Sequence, residues 1–95
     1  MIKVYAISDE EGIGGQAPVY VITDGKLFLT VNHRQGWSAV PDYEMRSDGR
    51  LYRTRHHRRG KGSLPDYEFR KDQMLYRTKD HPAGGLDQPV FVVYD

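Results

Sequence analysis

Pro41 to Gly60 reads PDYEMRSDGRLYRTRHHRRG, and Pro65 to Gly84 reads PDYEFRKDQMLYRTKDHPAG. A looser copy, PVYVITDGKLFLTVNHRQG, runs from Pro18 to Gly36. Self-similarity at a short fixed period marks an array of one supersecondary unit. Pro18, Pro41, Pro65 and Pro89 open four units, spaced 23, 24 and 24 residues apart. The fourth unit is split. Pro89-Val-Phe-Val-Val-Tyr-Asp95 matches Pro18-Val-Tyr-Val-Ile-Thr-Asp24, and Val4-Tyr5-Ala6-Ile7 matches Leu27-Phe28-Leu29-Thr30. Pairing the C-terminal strand with the N-terminal one completes that unit and closes a ring. Closure also removes the open strand edges that invite aggregation.

Each unit reads as a β-hairpin. Tyr, Val, Thr, Phe and Leu cluster in short runs bounded by Pro, Gly and Asp, and no stretch has helical periodicity with caps. Asp24-Gly25 and Asp48-Gly49 are tight-turn signals. Asp72-Gln73 is a poorer one, with strain expected at Gln73. A two-residue turn at Asp48-Gly49 sets Met45 opposite Tyr52, Glu44 opposite Arg53, Tyr43 opposite Thr54 and Asp42 opposite Arg55. The same reading around Asp72-Gln73 sets Phe69 opposite Tyr76, Glu68 opposite Arg77, Tyr67 opposite Thr78 and Asp66 opposite Lys79. One face is then aromatic and the other pairs acid with base, each pair worth roughly 0.2–1 kcal/mol. The first hairpin is one residue shorter before its turn, so keeping Tyr20 opposite Thr30 needs a three-residue loop with Gly25 in a bulge. In units one and four Val21 and Val92 replace the glutamates, and Leu29 and Ala6 replace the arginines. The ring has a charged half and an apolar half. The apolar set is either more deeply buried or a contact surface.

The expected fold is therefore all-β: four β-hairpin repeats closed into a pseudo-four-fold ring, the fourth made by the N- and C-terminal strands. Residues 1–95 form a single β-hairpin repeat domain. Four propeller blades would need about 40 residues each, which leaves an eight-strand barrel as the structural alternative. The expected core comprises Tyr20, Ile22, Tyr43, Met45, Tyr67, Phe69, Phe91 and Val93 from the first strands. Tyr5, Phe28, Tyr52 and Tyr76 are its partners from the second.

The P-D-Y-E and D-G-R-L-Y-R-T units, repeated with ring closure, resemble the small bacterial family described as a four-fold β-flower. The resemblance implies a compact ring of four hairpins. It brings no activity and no catalytic residue set with it.

Composition excludes several classes. The 95 residues contain no cysteine, so there is no disulfide framework and no thiol chemistry. No run approaches the length of a membrane-spanning helix, and the start of the sequence lacks a basic and apolar signal pattern, so the expected location is cytoplasmic. A net charge of +1 exerts no global pull on nucleic acid or membrane.

Three features carry candidate chemistry. His33, His57 and His81 each stand eight residues before the next unit's proline, and Glu10 stands eight before Pro18. Pointing at the ring axis, they form a His3Glu set suited to a divalent metal. The alternative is a histidine that closes each loop through a backbone hydrogen bond. Arg50, Arg53, Arg55, His56, His57, Arg58, Arg59 and Lys61 form the one basic cluster. Nucleic-acid contact through Arg58, Arg59 and Lys61 is disfavoured, because Arg53 and Arg55 have carboxylates assigned and no aromatic platform shares their face; a solvated charged edge is the leading reading, and an acidic protein partner the remaining one. Trp37 occupies the place of Lys61 and Gly85, either packed over the ring or anchoring a partner.

Gly12-Ile13-Gly14-Gly15 lacks the following Lys-Ser/Thr and the helix of a phosphate loop. Glu44 and Glu68, paired with arginine, make poor general acids. No catalytic set emerges. The expectation is a small non-enzymatic protein-interaction or scaffold module, without a resident cofactor, acting as a homo-oligomer or on a protein partner. A metal- or small-ligand-binding ring is the alternative.

Overall fold

The computed structural model describes residues 2–7 and 17–95. Among these residues are eight strands: β1 (Ile2–Ala6), β2 (Tyr20–Thr23), β3 (Lys26–Leu29), β4 (Tyr43–Met45), β5 (Arg50–Arg53), β6 (Tyr67–Phe69), β7 (Met74–Arg77) and β8 (Phe91–Tyr94). Together they form one closed antiparallel barrel in which β1 also pairs with β8. Val4 opposite Val93 and Ala6 opposite Phe91 complete the fourth hairpin from the two terminal strands. The ring of four hairpins and the eight-strand barrel are thus the same object.

The turns depart from the sequence reading in an instructive way. The first hairpin has the two-residue loop, with Thr23 opposite Lys26 and positive φ at both Asp24 (52°) and Gly25 (74°). That is the type I′ geometry that matches strand twist. The second and third hairpins have three-residue loops instead, each ending on a left-handed residue: Gly49 (φ 76°) and Gln73 (φ 66°). Arg46 N–H donates to Arg50 O at 3.0 Å and Gly49 N–H to Arg46 O at 2.9 Å, closing the longer loop. The two loop lengths are the reverse of the expectation. The constant feature is a left-handed residue at one equivalent site. Gly25, Gly49 and Gln73 each present their carbonyl to the next hairpin, accepting from Met45, Phe69 and Val93 N–H at 2.7–2.9 Å. The strain expected at Gln73 is present because this inter-hairpin bond needs that conformation.

The register shifts accordingly by one residue. Tyr43 faces Arg53, Glu44 faces Tyr52 and Met45 faces Leu51; Tyr67, Glu68 and Phe69 face Arg77, Tyr76 and Leu75. A one-residue slip exchanges the faces of a strand. The first-strand core therefore stands as expected, with Tyr20, Tyr43, Tyr67, Phe91 and Val93 buried and Ile22, Met45 and Phe69 packed against them. On the second strands Val4, Leu27, Leu51 and Leu75 point inward instead; Tyr52 and Tyr76 are buried as expected but outside the central cluster, and Tyr5 and Phe28 are only half-buried. Four aromatic rings close the barrel axis. Tyr20–Tyr43, Tyr43–Tyr67, Tyr67–Phe91 and Phe91–Tyr20 meet edge to face, with centroids 6.1, 5.6, 5.4 and 5.8 Å apart. Such contacts add about 0.5–1.5 kcal/mol each beyond area burial.

The expected Glu44–Arg53, Asp42–Arg55, Glu68–Arg77 and Asp66–Lys79 pairs are replaced. Glu44 meets Arg46 at 3.3 Å and Glu68 meets Arg70 at 3.0 Å, both on the outer surface. The Arg46 and Arg70 guanidinium groups also stack on the Tyr52 and Tyr76 rings, at 3.9 and 3.8 Å. Those tyrosines donate to Asp48 and Asp72, which tie the three-residue loops to the strands that follow.

Candidate functional site

Three loops repeat one construction, Thr-x-x-His-x-x-Gly. Thr30, Thr54 and Thr78 donate their hydroxyls to the carbonyls of Pro18, Pro41 and Pro65 at 2.5–2.6 Å. The histidine N–H returns to the threonine carbonyl at 3.1 Å, and Gly36, Gly60 or Gly84 N–H to the histidine carbonyl at 2.8 Å. These bonds hold each loop as a rigid bracket on the barrel wall.

The histidines point inward and are buried. In each, Nδ1 accepts the backbone N–H two residues on, from Gln35, Arg59 or Ala83, at 2.9–3.0 Å. The proton therefore sits on Nε2, which donates to the hydroxyl of Tyr20, Tyr43 or Tyr67, each at 3.2 Å. The rings also meet edge to face at 5.1 Å. The loop-closing reading of the histidines is the observed arrangement. Phe91, without a hydroxyl, belongs to the unit that carries Glu10 in place of histidine. The bonding partner and the bonded group change together. Burial first, and arginine charges second, push all three imidazoles down to about 4. The arginines are Arg58 and Arg34 at His33, Arg59, Arg53 and Arg58 at His57, and Arg77, Arg59 and Arg53 at His81.

A carboxylate cluster shares this end of the barrel. The Tyr43 hydroxyl donates to Asp66 Oδ2 at 3.3 Å, and Arg53 and Arg59 approach the same oxygen at 3.7 and 3.6 Å. Asp66 is 1% exposed. Burial pushes its pKa up, and the two arginines and the tyrosine pull against that. His57 Nε2 lies 3.5 Å from Asp42 Oδ2. Arg53 also packs flat on Gly62, where an added Cβ would meet its Nε at 3.1 Å.

Among the described residues no three His, Cys, Asp or Glu side chains are placed to hold a metal. Glu10 and the Gly12–Gly15 run lie outside the described residues.

The surface carries a second repeated feature, a groove between each loop bracket and the outer face of its hairpin. The residues lining three such grooves correspond position by position. Val21, Glu44 and Glu68 form the strand wall; Thr30, Thr54 and Thr78 the floor; Val31, Arg55 and Lys79 one lip; Trp37, Lys61 and Gly85 the other. The backbone is shared and the chemistry is not. Groove one, of about 560 Å³, is lined by no charged residue among those described, and Trp37 (67% exposed) and Val31 (76% exposed) stand at its rim. Groove two, about 250 Å³, is cationic, with Lys26, Arg55 and Lys61 around Glu44. Groove three, about 350 Å³, mixes Arg50, Arg70, Arg77 and Lys79 with Glu68, Asp80 and Asp87.

The structure thus distributes the sequence candidates. Trp37 is at the surface and does not pack over the ring. The basic cluster is divided: Arg59 turns to Asp66, Arg58 is exposed, and Lys61 lines groove two. Arg55 has no carboxylate partner among the described residues, contrary to its expected pairing with Asp42. The apolar replacements divide too. Leu29 belongs to the core and Ala6 packs against it, whereas Val21 lines groove one and Val92 is half-buried. Phe28, Val31 and Lys26 were missed as site residues. Aligning the units beyond the strands reveals Val31, because Val31, Arg55 and Lys79 each follow the threonine that three of the units share; Lys26 and Phe28 lie within β3, and the register assigned to that strand hid them.

Compared with protein-family models, with curated proteins and with solved structures, the chain shows no match. No helix among the described residues is long and apolar enough to cross a membrane.

Proposed function

We propose that the protein is a non-enzymatic interaction module, and that groove one docks an apolar side chain from an extended segment of a partner protein. One observation carries the reading: among the described residues the same groove is charged in two repeats and uncharged in the third, with a solvent-exposed indole at its rim. Tryptophan presented beside an apolar hollow is the composition of a binding hot spot. Nothing in barrel packing requires it, since Lys61 and Gly85 serve at the equivalent place. A closed barrel has no free strand edge, which leaves side-chain insertion rather than strand addition as the mode of docking. A concave groove suits a protruding side chain better than the convex wall of a second barrel. The Tyr-His-Asp end of the barrel is a supporting structure in this reading, because none of the three grooves is lined by His33, His57 or His81. The resemblance to the four-fold β-flower proteins agrees with the architecture and supplies no activity.

The test is selection from a displayed library of random peptides against the wild type and against a folded Trp37→Ala/Val31→Lys variant. Peptides that carry an aromatic or aliphatic residue and are retained by the wild type alone are the expected result. Equal enrichment on both proteins, or none, overturns the reading. So does a dimer in native mass spectrometry that Trp37→Ala abolishes, since the occupant is then a second copy.

A further inference from the structure

Resting on that reading, we infer that the partner segment is acidic, and that groove two receives its carboxylates a few residues from the apolar anchor. The two grooves are contiguous. Strand β3 contributes Phe28 to groove one and Lys26 to groove two, and the segment that follows Trp37 lines groove one with Ala39 and groove two with Pro41. A segment seated in groove one therefore leads directly into groove two. Repeats are a quarter turn apart on a body 28 × 26 × 24 Å. Neighbouring grooves are then separated by roughly 10–20 Å, which about three to six extended residues span.

The charge balance selects the chemistry. Glu44 is already held by Arg46 at 3.3 Å. Lys26, Arg55 and Lys61 have no carboxylate partner among the described residues. Groove two thus presents three uncompensated cations. Groove three offers Asp80 and Asp87 against its own. Opposite charge across an interface raises association rate and specificity, and a groove of about 250 Å³ admits a side chain rather than a nucleic-acid duplex.

The experiment uses the full chain and the same displayed library. The expected result is enrichment of Asp or Glu three to six residues from the apolar anchor. Synthetic versions of the selected peptides should bind Lys61→Glu and Arg55→Glu about five- to tenfold more weakly, and should weaken as salt rises. Neither substitution touches the barrel interior, so loss of binding is not loss of fold. Peptides that need Trp37 but show no acidic bias, and bind both variants as well as wild type, overturn the inference and leave the proposed function standing. Enrichment of basic or neutral flanks overturns it likewise. Absence of any Trp37-dependent peptide overturns both.

Discussion

Repeat one and repeat two share a hairpin, a loop bracket and a His–Tyr pair, yet they differ wherever the sequence was free to choose. Inside the barrel, repeat two places Arg53 where repeat one has Leu29, and Asp42 where repeat one has Val19. Outside, Glu44, Arg55 and Lys61 stand where repeat one has Val21, Val31 and Trp37. The inner and outer changes teach different things. Leu29 and Val19 fill core space without leaving a charge unpaired, so they need no explanation beyond packing. Val31 and Trp37 fill nothing. Their exposure costs hydrophobic free energy that a partner would recover.

Acid gives the largest expected effect and separates what the repeats share from what they do not. The histidines are held neutral, with pKa values of about 4 against 6.5 unfolded. Between those values the unfolded chain binds more protons, so this stability is complete above pH 6.5 and is lost as pH falls through 4. At 1.36 kcal/mol per pKa unit the limit is about 3 kcal/mol for each histidine. Asp66, whose pKa is raised, offsets part of this. Urea unfolding midpoints should be flat from pH 8 to 7 and fall steeply from 6.5 to 4. A midpoint independent of pH would contradict the neutral His–Tyr bracket.

Next in size is the buried ion cluster that repeat one lacks. Asp66→Ala leaves Arg53 and Arg59 facing a desolvated gap and should cost about 3–5 kcal/mol in urea unfolding. Asp66→Val with Arg53→Leu, which imports the apolar solution of repeat one, should recover much of that loss. A double variant no more stable than the single one would break the comparison at its interior.

The turns come third. Gln73 holds a left-handed conformation that glycine adopts freely, so Gln73→Gly should gain about 0.5–1 kcal/mol. Gly49→Ala should lose about 1 kcal/mol. An added Cβ at Gly49 meets only Phe69 O at an ordinary 3.6 Å, so the backbone angle and not crowding sets the cost. The smallest effect is expected at groove one. Trp37→Ala should change stability by no more than about 0.5 kcal/mol, whatever it does to binding. A large loss would return Trp37 to a structural role.

Much of this was legible in the chain. Four units, their hairpins, the closure through the terminal strands and the first-strand core follow from spacing and alternation. The register did not, because Asp-Gly serves equally at the centre of a two-residue loop or as the end of a three-residue one. What decides between them is the tertiary bond together with strand length: Gly25, Gly49 and Gln73 all give their carbonyl to the next hairpin, so the one extra residue that units two and three carry before the turn enters the loop. That single slip moved Leu51 and Tyr52 to opposite faces and misassigned the partners of Arg53 and Arg55. The histidine loops were legible as a recurrence, but their direction depends on the Tyr hydroxyls, which only the folded ring brings near. The grooves lie between loop and strand, and no local pattern announces them.

Trp37 is the only tryptophan in the chain, so its emission reports groove one alone. The decisive measurement is that emission during titration with a peptide selected on the wild type. A saturable blue shift, weakened by salt and by Lys61→Glu, is the result predicted for an apolar anchor in groove one with acidic residues in groove two. Tight binding with the indole emission unmoved would place the partner elsewhere on the barrel and contradict the account.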